Sequence, residues 1–541
     1  MNQSKTTEAL DTKLNHAVFW PPFILLMAAV FLNFSSPDRV GDDGKVVLGS
    51  FTTVVSGAND WILNHFGWLF STCAFLSVCV CLLICMTRFW KSGFGNVRIG
   101  GKDAKPIMSL WNWFAITICT TIAVGILFWS TSEPIRHLLA PPQFAGVEPG
   151  SRQAAVFSLS TMYLHWAFTP YALYAVASLT FAFAYYNMEK PFSLGSAVTP
   201  IFGNWSTGKA AWAIDAVCLY ALVLGMAAAL GTGIMMLAGG LNDLMGIPSN
   251  PLTWGIISAS IVVTFVISSA TGLMKGIRIL SDINSKFLMA LILLPLIFGP
   301  TIFLISLGSE SLLDYGLQFF QRNLFLIQTD GKTSILIPDG WGKEWTVFYW
   351  AVWMAWAPIT ACFLGRISYG RTVNEFMLIN FLAPSLFAIG WMTFFSGTAI
   401  YYQMENIVDL KTVIDSKGYE AASYEVFRQF PLAIVIILFY MTSAFICFVT
   451  SSDSNMSAMA SISSSGITPE NPEGKKWLKI VWGTAVGLVA WIMISFAGGE
   501  EGIKKLSNLG GFPASFLILL MIASLVKIMF CHRQLATIDQ S

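Results

Sequence analysis

Residues 66–87 read FGWLFSTCAFLSVCVCLLICMT, an apolar stretch that contains no Asp, Glu, Lys or Arg. A helix of about twenty apolar residues spans the ~30 Å hydrocarbon core of a bilayer. Hydrophobic residues make up 55% of the 541 residues and charged residues only 11%, a composition that excludes a water-soluble globular protein. The sequence therefore predicts a protein whose main solvent is membrane lipid.

Comparable apolar runs recur along the whole chain and predict an all-α polytopic membrane protein with twelve spans. They lie at about residues 17–34, 66–87, 110–131, 156–185, 212–236, 252–274, 287–308, 346–365, 376–400, 432–450, 477–498 and 511–530. The first run is not expected to be a cleaved signal peptide, because it lacks a small-residue cleavage site and further spans follow.

The spans and loops predict six segments in one membrane domain. These are a cytoplasmic N-terminus (1–16), two peripheral spans with a basic cytoplasmic loop (17–109), a first five-helix block (110–308), an interfacial helix with an extracellular loop (309–345), a second five-helix block (346–530) and a short cytoplasmic tail (531–541). An odd number of spans in each block inverts the second block relative to the first, as in inverted-repeat transporters.

The distribution of charge predicts the orientation of the spans. With the N-terminus placed inside, Lys and Arg are concentrated in the inside loops, which favours cytoplasmic positions for both termini. The clearest inside loop carries Arg88, Lys91, Arg98, Lys102 and Lys105. The net charge of +1 and the absence of a dense basic patch indicate no nucleic-acid partner.

Several spans contain Gly, Ser or Thr where a helix is expected to be interrupted. The candidates are residues 123–125 in the third span, 225–233 in the fifth and 450–454 at the end of the tenth. Interrupted helices are how many transporters build a binding site at the middle of the membrane, because freed backbone groups are tolerated only against protein or a water-filled cavity.

Aromatic residues concentrate in two spans in a way that suggests a binding site. Three Trp side chains recur every third residue in the eighth span, and one Trp and two Tyr surround Pro170 in the fourth; they are Trp350, Trp353, Trp356, Trp166, Tyr171 and Tyr174. The interaction of a quaternary ammonium with one ring face contributes ~0.5–2 kcal/mol of binding free energy. Packing in the core or at the membrane interface is the alternative interpretation of the same spacing.

Hydroxyl and ionisable residues in the spans offer further candidate sites. Thr450 and Ser451 could supply oxygen ligands to a sodium ion, or could donate hydrogen bonds to their own helix. Glu133 is expected to position the end of the third helix and Asp215 to lie at the membrane interface. His165 is a lone histidine within a span. A histidine in that setting is more often a packing residue than a proton carrier.

Catalytic motifs are missing from the sequence, so we do not expect an enzyme. There is no H-E-x-x-H, G-x-S-x-G or P-loop pattern and no clustered His or Cys ligand set, and the chain has only five His. The nine Cys fall almost entirely within or beside the spans, which predicts packing rather than zinc binding or disulfides.

Four sequence stretches carry a resemblance that covers nearly the whole chain. They are WAVWMAWAPITACFLGRISYGRTVNEF at 350–376, FWSTSEP at 128–134, HWAFTPYALY at 165–174 and VTSSDS at 449–454. Together they resemble the betaine/choline/carnitine transporter family. The resemblance implies inverted five-helix repeats of the leucine-transporter type, alternating access, a bacterial inner-membrane location and substrates with a trimethylammonium, trimethylamine oxide or dimethylsulfonium head.

The resemblance also implies site residues. The substrate cage would be formed by Trp166, Tyr171, Tyr174, Trp353 and Trp356, and a sodium site by Thr450 and Ser451 with the carbonyls of Cys119, Ile122 and Cys447. This chain departs from the family pattern at Tyr171 and Val352, where Trp is common, and has no hydroxyl at 225–231, where a second sodium position would lie.

These observations predict a secondary transporter of a small methylated-onium solute, with sodium as the coupling ion and no other cofactor. No cation for a carboxylate tail is evident near the cage, which favours a compact solute such as trimethylamine N-oxide over glycine betaine, choline or carnitine. The alternatives are a sodium-independent exchanger of the same solutes and a related-fold amino-acid transporter. The resemblance implies a homotrimer in contact with membrane lipid, joined through the interfacial helix near 312–325.

Overall fold

The structure is a computed structural model that describes most of the chain. The described residues are 12–35, 39–40, 46–47, 49–87, 93–121, 125–270, 273–325, 327–329, 332–334, 339–496 and 499–538. Arg88, Lys91 and Ile122, to which the sequence assigns roles, lie outside these ranges, as do residues 1–11 and 539–541 of the two predicted tails.

Helices form nearly all of the described chain. The helices up to residue 298 are α1 (His16–Ser35), α2 (Ser50–Met86), α3 (Leu110–Thr121), α4 (Gly125–Trp129), α5 (Glu133–Leu139), α6 (Arg152–Trp166), α7 (Phe168–Ala182), α8 (Thr199–Phe202), α9 (Lys209–Met245), α10 (Pro251–Ala270) and α11 (Leu273–Phe298). They are followed by α12 (Thr301–Asn323), α13 (Gly340–Gly342), α14 (Phe348–Ile367), α15 (Val373–Met377), α16 (Ala383–Met404), α17 (Leu410–Lys417), α18 (Ala421–Arg428), α19 (Ala433–Ile462), α20 (Lys476–Phe496) and α21 (Glu500–Ile538).

Among the residues that the structure describes, six short strands form three antiparallel pairs. They are β1 (Lys13–Leu14) with β6 (Ser464–Ser465), β2 (Arg39–Val40) with β3 (Val46–Val47), and β4 (Ile327–Thr329) with β5 (Lys332–Ser334). The first pair joins distant parts of the chain: the amide of Asn15 donates to the carbonyl of Ser463 at 2.8 Å, beside the pairing of Leu14 with Ser464. Residues 13–15 are thereby fixed to the end of α19.

The described helices confirm the prediction of a twelve-span membrane protein. Eleven helices are long and apolar enough to cross a bilayer, and the bent pair Leu110–Thr121 and Gly125–Leu139 brings the number to twelve. Five of these spans lie within residues 110–298 and five within 340–531, on either side of α12. The odd number in each block gives the two blocks opposite orientations, which is the arrangement of inverted five-helix repeats.

The eighth span is at the centre of the helix bundle. Helix α14 packs against α7, α9 and α21, and every one of its residues except Val352 is buried. Its aromatic side chains therefore face other helices rather than lipid. The rings on this span therefore lie in the interior of the bundle and do not form an interfacial belt.

Two spans are interrupted near this centre. The third is described on either side of residues 122–124, and its two parts, Leu110–Thr121 and Gly125–Leu139, lie at 59° to each other. In the fourth, α6 ends at Trp166 and α7 begins at Phe168, because Ala167 leaves the helical region with φ −100° and ψ −110°. Pro170 follows three residues later and has no amide hydrogen, so the carbonyl of Trp166 lacks its helical donor.

The other two predicted interruptions are wrong. Helix α9 runs unbroken through residues 225–233, and α19 runs unbroken through 450–454. In α9 the glycines allow close packing: a Cβ on Gly233 would meet the ring of Phe448, and one on Gly225 would meet the side chains of Ala355 and Trp356. In α19 the hydroxyls of Thr450 and Ser454 bond to their own helix, as Ser454 does to the carbonyl of Thr450 at 2.8 Å.

The expected interfacial position of Asp215 is also wrong, because this residue is buried inside the protein. Only 3% of it is exposed, and its carboxylate accepts a hydrogen bond from the amide of Leu194 at 2.7 Å. It therefore fixes the turn that precedes α8. The cysteines behave as predicted: all nine are free, and each is buried or half-buried.

The close packing at Gly233 leads to a stability prediction. We expect Gly233→Ala to destabilise the protein by about 1–3 kcal/mol, the usual cost of overpacking, because its methyl group would overlap the Phe448 ring. The measurement is the melting temperature of the purified protein in detergent. The control is Gly57→Ala, at an exposed helical position where a Cβ meets nothing within 4 Å. Equal melting temperatures for the two variants would contradict the packing at Gly233.

Candidate functional site

A small internal cavity of about 40 Å³ lies where the two interrupted spans meet the eighth span. It is lined by aromatic, aliphatic and hydroxyl side chains, with no charged residue among the described lining. The lining consists of Thr121, Gly125, Trp129, Trp166, Tyr174, Ala228, Ala229, Thr232, Phe348, Tyr349, Val352, Trp353, Trp356, Ile503 and Ser507. The volume suffices for roughly three water molecules.

Four of the five cage residues predicted from the sequence line this cavity. The ring of Trp353 stands edge-on to Trp166 at a centroid distance of 5.3 Å and to Tyr174 at 6.2 Å. Trp356 completes the set from the next turn of α14. Tyr171 is buried one turn before Tyr174 on α7, but it is not among the described residues that line the cavity.

The interruption of the fourth span holds Trp353 in place. Its indole N–H donates to the carbonyl of His165 at 3.0 Å, at the point where α6 ends. Two glycines give the indoles room: a Cβ on Gly125 would approach Trp166 to 3.1 Å, and one on Gly225 would approach Trp356 to 3.0 Å. Helix breaks and small residues together set the positions of the rings.

Spacing within the spans did not identify three further aromatic residues that line the cavity. They are Trp129, Phe348 and Tyr349. Trp129 stands inside the quoted FWSTSEP stretch, and the other two directly precede Trp350. The FWSTSEP stretch at 128–134 could therefore have indicated Trp129 as a site residue. Trp350 itself is buried, and it is absent from the described lining.

A buried carboxylate, that of Glu133, lies directly behind two of these rings. Its Oε1 accepts hydrogen bonds from His165 Nδ1 at 2.7 Å and His137 Nε2 at 3.1 Å. Its Oε2 accepts from Trp166 Nε1 at 3.0 Å and from the hydroxyl of Tyr349. Glu133, His137 and His165 are all fully buried, so this polar cluster is enclosed within the protein.

The cluster corrects the expectation that no His-containing ligand set would form. One ligand atom from each of Glu133, His137 and His165 lies within 4.8 Å of the others, a grouping that could hold a metal ion. The hydrogen bonds from both imidazoles to the carboxylate already account for this closeness. The sequence does not reveal the cluster because His165 is far from Glu133 along the chain and reaches it from another helix.

Aromatic rings and ion pairs close the side of the cavity that faces α5 and the 405–431 loop. Trp129 packs against Tyr419 at 5.4 Å, and the Arg136 guanidinium lies over the Tyr419 ring at 5.1 Å. Arg136 also pairs with Asp415 at 2.8 Å. A hydrogen bond from Lys411, together with the charge of Arg136, lowers the pKa of the Asp415 carboxyl below its ordinary value.

A second closing contact comes from α21. Lys504 Nζ lies 4.2 Å from the centroid of the Trp345 ring and 3.5 Å from a carboxylate oxygen of Glu344. Because α21 also lines the cavity through Ile503 and Ser507, this lysine joins the closing layer to the cavity wall.

The described residues of the predicted sodium site come together between α3 and α19. Ser451 Oγ donates to the carbonyl of Thr120 at 3.3 Å, and Thr450 Oγ1 donates to the carbonyls of Ile446 at 2.9 Å and Cys447 at 3.1 Å.

Asn284 of α11 connects the same two helices. Its side-chain amide donates to the sulfur atoms of Cys447 at 2.9 Å and Cys119 at 3.5 Å, and its oxygen accepts from Ser443 at 3.1 Å. Cys119 and Cys447 therefore approach each other through their sulfur atoms, while the carbonyl that Ser451 contacts belongs to Thr120. Ile122 lies outside the described residues.

Comparison with known proteins gives a consistent result. The family model described as BCCT, betaine/carnitine/choline family transporter, matches residues 17–534. The chain is 31% identical to the betaine/ectoine transporter LcoP of Corynebacterium glutamicum over 95% of this chain and 78% of that protein. It is 29% identical to the glycine betaine transporter OpuD of Bacillus subtilis, over 94% of each.

Two further proteins are similar at lower coverage or identity. The high-affinity choline transport protein of Escherichia coli K12 is 29% identical over 90% of this chain and 70% of that protein. The solved structure of a Na+-coupled sialic acid symporter in a substrate-bound outward-open state superposes with a TM-score of 0.48 and 14% identity, covering 84% of this chain and 86% of the symporter.

The Asn284 bridge leads to a second stability prediction. We expect Asn284→Ala to destabilise the protein by about 1–3 kcal/mol, because the buried Ser443 hydroxyl would lose its acceptor. Melting in detergent measures the effect. Thr442→Ala is the control, since its exposed hydroxyl bonds only to the carbonyl of Leu438. If Asn284→Ala melts at the same temperature as the wild-type protein, the bridge contributes little to stability.

Proposed function

Since the chain belongs to the betaine/carnitine/choline transporter family, we propose that it carries a small methylated-onium solute across the bacterial inner membrane by secondary transport. The chain is a multi-span transporter and not an enzyme. The proposed solutes are trimethylamine N-oxide, glycine betaine, choline and carnitine. Two relatives that the chain resembles are named as ectoine transporters, which adds ectoine to the solutes to be tested.

One observation carries the proposal: Trp166, Tyr174, Trp353 and Trp356 line a single cavity with no charged side chain among the described lining. Methylated nitrogen cannot donate hydrogen bonds, so a wall of ring faces suits it better than a carboxylate pocket does. The absence of a lysine or arginine from that lining favours a compact solute such as trimethylamine N-oxide over one with a carboxylate tail.

The contacts on one side of the cavity suit transport by alternating access. They lie between the cavity and that side of the protein, so they would have to separate before a solute enters from there. The closing contacts of Arg136 with Asp415 and of Lys504 with Glu344 would be the ones that break on one side. With both termini in the cytoplasm, as the charge distribution predicts, this side faces the exterior.

Sodium is the proposed coupling ion, bound between α3 and α19. Thr450 and Ser451 would supply hydroxyl oxygens there, with the carbonyl of Thr120 in α3 beside Ser451 and the carbonyl of Cys447 in α19 beside Thr450. A site of neutral oxygens suits a monovalent cation without the cost of burying another carboxylate. The alternative is sodium-independent exchange, which is favoured by the lack of hydroxyls at 225–231 and by the bond of Thr450 to its own helix.

The assembly that we propose is a homotrimer joined through α12. This helix presents several exposed apolar side chains, among them Leu312, Leu313, Leu317 and Phe320. Such side chains on an interfacial helix suit either lipid or a second copy of the chain.

The cage leads to a binding prediction. We expect Trp356→Ala to weaken binding of the transported solute about 2- to 30-fold from the loss of one cation–π contact alone. The measurement is binding to purified protein and uptake into sealed liposomes, with all five solutes. Trp205→Ala, at a ring that is 69% exposed, is the control. If none of the five solutes binds or moves with the folded wild-type protein, the proposed function is wrong.

The sodium site leads to a separate prediction. We expect Ser451→Ala to raise the sodium concentration for half-maximal uptake about tenfold, because one oxygen ligand is lost, while solute affinity at saturating sodium stays the same. Uptake over a range of sodium gradients measures this. Ser260→Ala is the control, because its exposed hydroxyl bonds only within α10. Wild-type uptake that does not depend on sodium would favour the exchanger.

A further inference from the structure

Glu133 is a buried acid whose charge is not balanced by a lysine or arginine among the described residues. The nearby cations are engaged elsewhere: Arg136 pairs with Asp415, and Lys504 with Glu344. The partners of the carboxylate are instead two imidazoles, one indole and one phenol. Because a carboxylate that accepts four hydrogen bonds is well stabilised in its charged form, the cluster can retain negative charge inside the membrane.

Two of these donors are walls of the cavity. Trp166 and Tyr349 both line it, and their rings meet edge-on at a centroid distance of 5.2 Å. Each uses its polar atom to donate to Oε2 of Glu133, while the remainder of the ring faces the cavity. An N–H or O–H group that donates to an anion gains electron density in its ring, since hydrogen-bonded groups polarise one another.

The ring face attracts a cation through its negative potential, so added electron density strengthens the attraction. The charge of the carboxylate acts in the same direction across the width of the ring, in surroundings where water does not screen it. A cation in the cavity therefore gains from Glu133 without touching it. A neutral molecule of the same shape gains neither contribution.

We propose that Glu133 is a specificity-determining residue that gives the cavity its preference for positive charge, acting through Trp166 and Tyr349. This inference rests on the proposed function, because it assumes that an onium head binds among the rings. It differs from a purely structural role, in which Glu133 only holds the two rings in place. A structural role would affect charged and neutral ligands alike.

The test compares an onium solute with its carbon isostere. Choline is paired with 3,3-dimethylbutan-1-ol, and glycine betaine with 3,3-dimethylbutanoate; each pair differs in replacing the quaternary nitrogen by carbon. Dissociation constants are measured by competition on purified wild-type protein, Glu133→Gln and the control Glu310→Gln, whose carboxylate is paired with Arg152 at the surface.

We expect Glu133→Gln to weaken binding of the onium solute at least about tenfold, which corresponds to ~1.4 kcal/mol, and to change binding of the isostere less than about twofold. Equal loss for both members of a pair, or no loss for either, would overturn the proposal. Glu310→Gln should behave as the wild type does.

A second variant keeps the proposal testable if Glu133→Gln does not fold. Tyr349→Phe retains the ring and removes one donor, so we expect a loss of about threefold for the onium solute and none for the isostere. An unchanged ratio between the two would contradict the proposal. The wild-type protein tests the proposed function separately: if it binds no onium solute, or binds the isostere equally well, the cation cage fails before any variant is compared.

Discussion

The requirement that every polar backbone group find a partner inside the membrane determines how the centre of this protein is built. The fourth span breaks at Ala167, and the break brings the carbonyl of His165 within reach of the Trp353 indole at 3.0 Å. One hydrogen bond thus stabilises the interruption and orients a ring of the cavity. The aromatic wall and the broken helix are two results of the same constraint.

A related constraint applies to the buried charge of Glu133. A carboxylate removed from water needs several donors, and here they come from α5, α6 and the eighth span. Trp and Tyr serve this purpose better than Phe, because each combines an apolar ring with a polar group. The presence of Trp and Tyr at positions 166 and 349 is therefore explained as much by their hydrogen bonds to Glu133 as by their contact with the cavity.

Hydropathy was sufficient to predict the number of spans, because lipid imposes a similar length and composition on each. It misplaced the seventh, predicted at 287–308, because that apolar run continues past Phe298 into α12, which is a separate helix. Spacing along single helices identified Trp353 and Trp356 as residues of one wall. It did not find the contacts of Glu133 with His165 and Tyr349, since those residues come from different helices and only the fold brings them together.

Residue type alone was misleading at two kinds of position. The glycines of α9 resemble a helix break in sequence, but here they allow α14 and α19 to approach closely. Asp215 resembles an interfacial residue because it lies near the start of a span, yet its carboxylate serves a turn inside the protein. In both cases the neighbouring elements, which a single sequence does not specify, decide the outcome.

The pairing of β1 with β6 gives the first peripheral helix a mechanical connection to the core. Helix α19 carries Thr450 and Ser451 against α3, and the strand at its end is joined to Lys13 and Leu14. A rotation or tilt of α19 would therefore pull on residues 13–15, directly before α1 begins at His16. These three residues link the first peripheral helix to the helix that bears the two hydroxyls.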